Sequence, residues 1–302
     1  MGLSQGYGAV DEDAAVATVR HAIDAGVTLL DTAMSYGTGH NERLIGRAVA
    51  GRRDEVTLAT KFGIVRGPDG VTLDGHPDRV AGYCDASLAR LGVDTIDLYY
   101  LHRVDPTVPV ADTVGAMSEL VAAGKVRYLG VSEVGPDDLA AAVSVHPIAA
   151  VQFEWSLFWR APEADVVPAA RGLGVGLVPY SPLGRGMLTG GVTAANAADS
   201  MFRATDSRFA GSHLDRNLAA VRALGELAAA RDLTASQLAL AWLLARGDDV
   251  VPIPGTRNPA RVTENAAAAD VSLGPDELSA VESIAGWSGD RTSFAAHGTE
   301  RG

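Results

Sequence analysis

Seven runs rich in Val, Ile, Leu and Tyr recur along the chain, at 27–32, 56–61, 96–102, 126–132, 149–155, 175–181 and 250–254, and each reads as a short buried strand. Between them the apolar positions adopt helical spacing, over 13–25, 77–91, 110–123, 136–145, 164–171, 215–231 and 234–245. Several of these stretches open on Asp, Thr or Pro, residue types that start helices. Strand and helix therefore alternate. That is the pattern of repeated βα units around a parallel sheet, because a parallel strand is reached only by a crossover returning to the same end.

Seven units approach the eight of a closed (β/α)8 barrel, an α/β fold whose reactive groups gather at the C-terminal ends of its strands. Residues 1–8, Met-Gly-Leu-Ser-Gln-Gly-Tyr-Gly, read as a glycine-rich loop running directly into the first helix. Strand one is accordingly expected to be missing or incomplete. A length of 302 residues, 47% of them hydrophobic, suits one barrel domain over 1–302. Within it, 184–213 is rich in Gly, Ala, Thr and Asp and predicts a lid loop. The Gly- and Ser-containing segment 285–302 predicts a mobile C-terminal tail.

Charge narrows the choice of partners. A formal net charge of −12 and a pI near 5.0 disfavour nucleic acid and anionic membrane surfaces, so an anionic ligand must be held by a local cationic site. The single cysteine, Cys84, excludes an internal disulfide and reads as a packing residue on a helix. No segment resembles a secretion signal, and no apolar stretch reaches the roughly 18 residues a membrane helix needs. A cytoplasmic protein without nucleic-acid or membrane partners is expected. The seven histidines have no metal-ligand spacing, so no metal is expected, and His76, His146 and His213 read as loop residues. Gly172-Leu173-Gly174-Val175-Gly176 precedes a strand rather than following one, and reads as a helix-ending turn instead of a dinucleotide fingerprint.

Candidate chemistry sits at the strand ends. Asp31, Tyr36, Lys61 and His102 lie at or just after the ends of three of the runs. Three of them have an ordinary alternative: a helix cap for the Asp-Thr pair, packing for the Tyr, a solvated strand end for the Lys. Their convergence at one end of a barrel favours a joint role. Asp31 and Lys61 can pair at the floor of a pocket, where an ion pair must be hydrogen-bonded to be tolerated. A phenol beside that ammonium gives up its proton more readily, which makes Tyr36 a candidate general acid. His102 can donate a hydrogen bond to the same substrate oxygen. With hydride supplied by a cofactor, no nucleophilic side chain is needed.

The motifs continue in order along nearly the whole chain. Asp31-Thr32-Ala33-Met34-Ser35-Tyr36-Gly37, followed by Asn41-Glu42-Arg43-Leu44-Ile45-Gly46, resembles the signature of the aldo-keto reductases. Thr60-Lys61-Phe62-Gly63, Asp97 to His102, Gly130-Val131-Ser132, Val151 to Ser156, Pro179 to Gly184 and Ile253 to Arg257 continue the match. The resemblance implies Tyr36 as proton donor, Lys61 and Asp31 as the pair that makes it a stronger acid, and His102 as the group orienting the carbonyl. It also implies a nicotinamide cofactor held without a Rossmann domain. Tyr180 matches the ring that stacks on the nicotinamide, and Ser132 and Gln152 match the polar pair for its carboxamide; Glu133 stands where many relatives have Asn. Ser181 and Pro182 continue the cofactor site, and Leu183, Gly184, Arg185 and Gly186 match the loop along the pyrophosphate. Gly255, Thr256, Arg257, Arg261, Glu264 and Asn265 match the adenosine end, where Arg257 can pair with a 2′-phosphate. The resemblance thus implies NADPH.

Relatives begin earlier, with a strand leading into the segment matched here by Met1-Gly2-Leu3. The expectation is a start upstream of this sequence; the alternative is an incomplete barrel. Two function classes follow. One is an NADPH-dependent reductase of a small-molecule aldehyde or ketone, acting as a monomer or weak homo-oligomer. The other is a cofactor-binding, redox-sensing subunit like the barrel relatives of ion channels. Trp155, Phe158, Trp159, Phe202 and Phe209 are candidates for apolar pocket walls or for core, and Trp287 and Phe294 for a closing tail.

Overall fold

The structure, a computed structural model, describes residues 1–6, 8, 11–67, 70–284 and 287–291. Eight strands are present among them: β1 (Leu29–Asp31), β2 (Thr57–Phe62), β3 (Ile64–Gly67), β4 (Gly70–Leu73), β5 (Ile96–Leu101), β6 (Val126–Ser132), β7 (Ile148–Glu154) and β8 (Gly176–Tyr180). The helices are α1 (Glu12–Asp24), α2 (His40–Val49), α3 (Pro77–Leu91), α4 (Val110–Ala122), α5 (Pro136–Val145) and α6 (Val166–Gly172), then α7 (Gly211–Ala229), α8 (Ala235–Leu244), α9 (Pro259–Ala266) and α10 (Pro275–Glu282). Among the described residues, no helix is long and apolar enough to cross a membrane.

Six strands form one sheet in the order β1-β2-β5-β6-β7-β8, with parallel pairing from β1 to β7. Sequential parallel strands separated by helices are the (β/α)8 arrangement, here with six strands in the sheet and, among the described residues, no strand ahead of α1, as the sequence predicts. All six residues of the central strand β5 are buried, as expected where helices cover one face and the strands' own side chains fill the other. Asp97 is the polar residue of that strand that needs partners. It accepts from the Leu58 backbone N–H at 2.7 Å and pairs with Arg53 (2.6 Å) and Arg127 (2.9 Å).

The chain forms two compact units. One comprises residues 1–5, 9–153 and 162–178, the other 6–8, 154–161 and 179–302. In the first, the Gln152 side chain on β7 donates to Asp31 on β1 at 2.9 Å, although three strands separate β7 from β1 in the sheet order. The sheet must therefore curve until those strands face one another. In the second, Glu154, Asp206 and Arg208 form a buried ionic cluster, Arg208 forking onto Asp206 at 2.9 and 2.7 Å and reaching Glu154 at 2.8 Å. The Phe158 ring, 4.8 Å from that guanidinium, meets Phe209 and Trp287 edge-on.

Local chemistry explains most boundaries. Asp11 caps α1, Asn258 caps α9 with Pro259 in its first turn, and Thr234 with Gln237 closes a capping box on α8. The Gly172–Gly176 segment is a helix-ending turn, as its sequence predicts: Gly174 is left-handed at φ 70° and Val175 N–H bonds Ala170 O at 2.9 Å.

Several expectations need correction. The predicted strand 250–254 is reduced to a single parallel bridge, Tyr180 to Ile253, because Pro252 and Pro254 flank Ile253 and lack the N–H groups a ladder requires. The helix expected over 164–171 begins at Val166, after a 3-10 turn at Ala161–Ala164, and α7 begins at Gly211 rather than 215, so His213 is helical. The span 184–213 contains 3-10 turns at Gly184–Thr189 and Ser207–Phe209. Helices α2, α9 and α10 and the hairpin β3–β4 are additional elements. The hairpin's signal is the sequence Pro-Asp-Gly between two β-branched pairs. Of the tail, residues 285, 286 and 292–302, with Phe294, lie outside the described residues; Ser288 Oγ lies 2.7 Å from His213 Nδ1.

Close packing of α2 on α3 makes a specific demand at Gly46. A Cβ there would sit 2.4 Å from Leu91 O, a backbone atom that cannot swing aside. Gly46→Ala gains up to about 1 kcal/mol of helix propensity but forces overpacking that costs about 1–3 kcal/mol. The expected result is a lower urea midpoint than wild type; an unchanged or raised midpoint would refute the close approach.

Candidate active site

Strand pairing in the first unit carries the candidate residues to one end of the sheet. The β1–β2 register sets Leu30 against Leu58 and Asp31 against Ala59, and continues through Thr32 N–H to Ala59 O (2.9 Å) and Met34 N–H to Lys61 O (3.0 Å). The Tyr36 loop is thereby tied to the Lys61 strand. Its further course is set by Gln5, whose side chain accepts from Gly37 N–H at 2.9 Å, and by Ser4, 2.8 Å from both His40 and Asn41.

Lys61 is completely buried and its ammonium pairs with Asp31, whose carboxylate is 9% exposed. The same ammonium donates to Thr32 O at 2.9 Å and reaches Tyr36 Oη at 3.5 Å. Burial alone pulls the Lys61 pKa down, but the charge of Asp31, then that of Tyr36, and the hydrogen bonds outweigh it, and the net shift is upward. The surroundings therefore favour the charged form of Lys61. The other Asp31 oxygen accepts from Gln152 at 2.9 Å, so the carboxylate is held from both sides.

His102 follows β5, and its ring stands edge-on to that of Tyr36 with centroids 5.8 Å apart. It is 7% exposed, and its Nδ1 is buried without a hydrogen-bond partner among the described residues. Burial, then the charges of Lys61, Arg103 and Arg66, push its pKa well below the usual imidazole value. A neutral imidazole carries one N–H donor and one acceptor. The half-buried Tyr36 hydroxyl therefore lies beside a fixed cation and a neutral ring, an arrangement suited to polarising and protonating one oxygen.

Ser132 and Gln152 are also in this unit, buried to 1% and 2% exposure at the ends of the neighbouring strands β6 and β7. Their polar atoms are engaged in the protein: Ser132 Oγ accepts from Arg103 at 3.2 Å, and Arg103 also donates to His102 O at 2.7 Å. Glu133, where many relatives have Asn, has φ 55°, a left-handed conformation Asn tolerates better than Glu.

The remaining candidates are in the second unit. Tyr180 ends β8, and its hydroxyl accepts from Arg291 at 3.1 Å. Ser181 (φ 48°), Gly184 (φ 55°), Arg185 (φ 54°) and Gly186 (φ 93°) follow in left-handed conformations, with Pro182 and Leu183 between. The turns are closed internally, Gly184 N–H bonding Ser181 O at 2.8 Å and Gly186 N–H bonding Leu183 O at 3.0 Å. At Gly184 a Cβ would meet the Phe158 ring at 2.7 Å. The Arg185 guanidinium faces the protein, donating to Phe202 O at 2.5 Å and lying 3.6 Å from Asp206. Gly255, Thr256 and the exposed Arg257 lead into α9, which carries Arg261, Glu264 and Asn265, and Glu264 accepts from Thr234 at 2.7 Å.

Arg66, Arg103, Arg291 and the Arg208 cluster are not among the residues that the sequence motifs single out. Arg66 had a signal in the hairpin pattern; the others owe their positions to contacts far apart in the chain. Trp155, Phe158 and Phe209 are buried core of the second unit, and Trp155 packs edge-on against Trp242. Cys84 is buried, its thiol pushed up to about 12 by that burial.

The model of the aldo/keto reductase family matches residues 1–285. A probable aldo-keto reductase 1 from Glycine max is 42% identical over 281 residues, 92% of this chain and 81% of that one. Among solved structures, a glycerol dehydrogenase from Gluconobacter oxydans superposes with a TM-score of 0.86 at 31% identity, covering 97% of this chain and 89% of that one. An aldo/keto reductase from Klebsiella pneumoniae, in complex with NADP and acetate, gives 0.71 at 31% identity, covering 92% and 87%. The chain belongs to the aldo/keto reductase family of oxidoreductases.

Proposed function

We propose that the protein is an NADPH-dependent reductase of aldehydes or ketones, with Tyr36 as proton donor. The observation that carries this reading is the Tyr36 hydroxyl 3.5 Å from the buried Lys61 ammonium and edge-on to a neutral His102. When bound, NADPH supplies hydride to the carbonyl carbon. The protein's task is then to bind the carbonyl, orient it and deliver a proton to its oxygen.

The residues present fit such a cofactor. The tight left-handed turn from Ser181 to Gly186, with glycines at 184 and 186, suits close approach of a pyrophosphate to the backbone, and Tyr180 is a half-buried ring directly before it. Ser132 and Gln152 would meet the carboxamide, Ser181, Pro182, Leu183, Gly184, Arg185 and Gly186 the pyrophosphate. Gly255, Thr256, Arg257, Arg261, Glu264 and Asn265 would take the adenosine end. The exposed Arg257 suits a 2′-phosphate, and the Klebsiella pneumoniae relative in complex with NADP supports the same choice.

Of the two groups facing the substrate oxygen, the acid is Tyr36. His102, kept neutral by burial and by three surrounding cations, is a hydrogen-bond donor rather than a proton source. Tyr36 Oη gives its proton to the oxygen, and Lys61 stabilises the phenolate left behind. Asp31 keeps that cation in place, and Gln152 keeps Asp31 in place.

Tyr36→Phe keeps the ring and removes the proton. It should lower kcat for carbonyl reduction by roughly 10²–10⁴-fold while leaving NADPH affinity nearly unchanged, measured by steady-state kinetics and fluorescence titration. Equal turnover by the variant would overturn the acid role. The same titration should favour NADPH over NADH, and Arg257→Met should weaken NADPH roughly tenfold with little effect on NADH. Loss of both cofactors alike would mean that Arg257 acts on the fold instead.

The depressed His102 pKa also links protonation to stability. The unfolded chain takes up a proton near the usual pH of about 6.5, whereas the folded chain does so only at lower pH. The stability from this group is therefore fully present above about pH 6.5 and falls as pH drops toward the folded pKa, by up to about 1.4 kcal/mol per pH unit. Urea melts at pH 7.5 and 5.5 should fall less for His102→Gln than for wild type. Parallel falls would mean that His102 titrates normally.

A further inference from the structure

The third residue of β3, Arg66, is exposed and sits in the hairpin that directly follows the Lys61 strand. Its Nε–H donates to Ser35 O at 3.1 Å, the carbonyl next to Tyr36 in the chain. The hairpin thus brings a guanidinium to the loop of the candidate acid. Its charge also reaches the His102 ring, together with those of Lys61 and Arg103.

These three cations differ in what satisfies them. Lys61 is neutralised by Asp31. Arg103 is tied to His102 O and Ser132 Oγ. Around Arg66, no carboxylate among the described residues lies within ion-pair distance. One N–H holds the hairpin to the Ser35 carbonyl, leaving the terminal nitrogens as a fork of the kind that grips a carboxylate or phosphate. In a chain of net charge −12, an exposed cation tied to the loop that carries Tyr36 and without a carboxylate partner among the described residues needs a reason.

We propose that Arg66 forms an anion subsite for the substrate, selecting aldehydes or ketones that carry a carboxylate or phosphate a few atoms from the carbonyl. This rests on the reductase reading above and gives it a substrate class. The carbonyl oxygen meets Tyr36 and His102, while the anionic end faces solvent and Arg66. Excluding water as the substrate binds strengthens that contact beyond its worth on an open surface.

The test compares 4-formylbenzoate with its methyl ester, which share the aldehyde and ring and differ in charge. Wild type should favour the acid roughly tenfold in kcat/KM, the value of one charge-assisted contact, with the difference residing in KM. Arg66→Gln keeps a donor for Ser35 O and removes the charge; with it the acid should lose roughly tenfold more than the ester. Arg66→Lys should retain part of the preference, and added salt should erode it in wild type. A wild-type ratio near one overturns the subsite. So does an equal loss for both aldehydes in Arg66→Gln, which would mark Arg66 as a brace for the Tyr36 loop, or a matching loss of NADPH affinity, which would assign it to the cofactor. No turnover with either aldehyde refutes the reductase reading instead. Equilibrium binding of the same pair to wild type and Arg66→Gln then still decides the subsite, equal affinities overturning it.

Discussion

A lysine ammonium with no solvent exposure cannot exist in a protein interior without a counter-charge, and Lys61 has that requirement at the end of β2. Asp31 meets it from β1, Thr32 O adds a hydrogen bond, and Gln152 reaches from β7 to complete the carboxylate. The need to satisfy one charge thus fixes the register of the first two strands and the curvature that brings β7 opposite them. Pairing weak enough to leave the lysine neutral would have removed both the cation and the geometry. The upward net shift of Lys61, against its own burial, is the electrostatic expression of that bargain.

The same constraint divides labour among the neighbours. A fixed cation next to His102 is one reason the imidazole stays neutral, so in the proposed reaction a single charged pair would distinguish the hydroxyl that gives a proton from the ring that only donates a hydrogen bond. Backbone strain follows the candidate site residues closely. Left-handed Glu133 comes directly after Ser132, Ser181 directly after Tyr180, and Thr38 two residues after Tyr36. Each costs about 1–3 kcal/mol in isolation, and each turns the chain sharply away once the preceding side chain has been delivered.

Strand ends were legible because a polar residue interrupting an apolar run marks its own position. Asp31, Lys61 and His102 announce themselves in that way, and the parallel βα order followed from the alternation around them. Elements hidden from a linear reading were those settled by partners distant in sequence. Gln152 meets Asp31 across 121 positions, and Arg208 is buried only because Glu154, 54 residues earlier, awaits it. The apolar run 250–254 has the composition of a strand, but its two prolines leave only the Ile253 bridge.

The β3–β4 hairpin is paired only with itself in the strand ladders, four residues against four, and leaves the parallel sheet uninterrupted. Its register from Ile64 to Leu73 is closed without drawing on a barrel strand. Such an appendage can change in length and charge while the strands beneath keep their pairing. Substrate choice and chemical machinery would then be inherited separately, the rim free to diverge among descendants while the floor is held fixed by its buried charge.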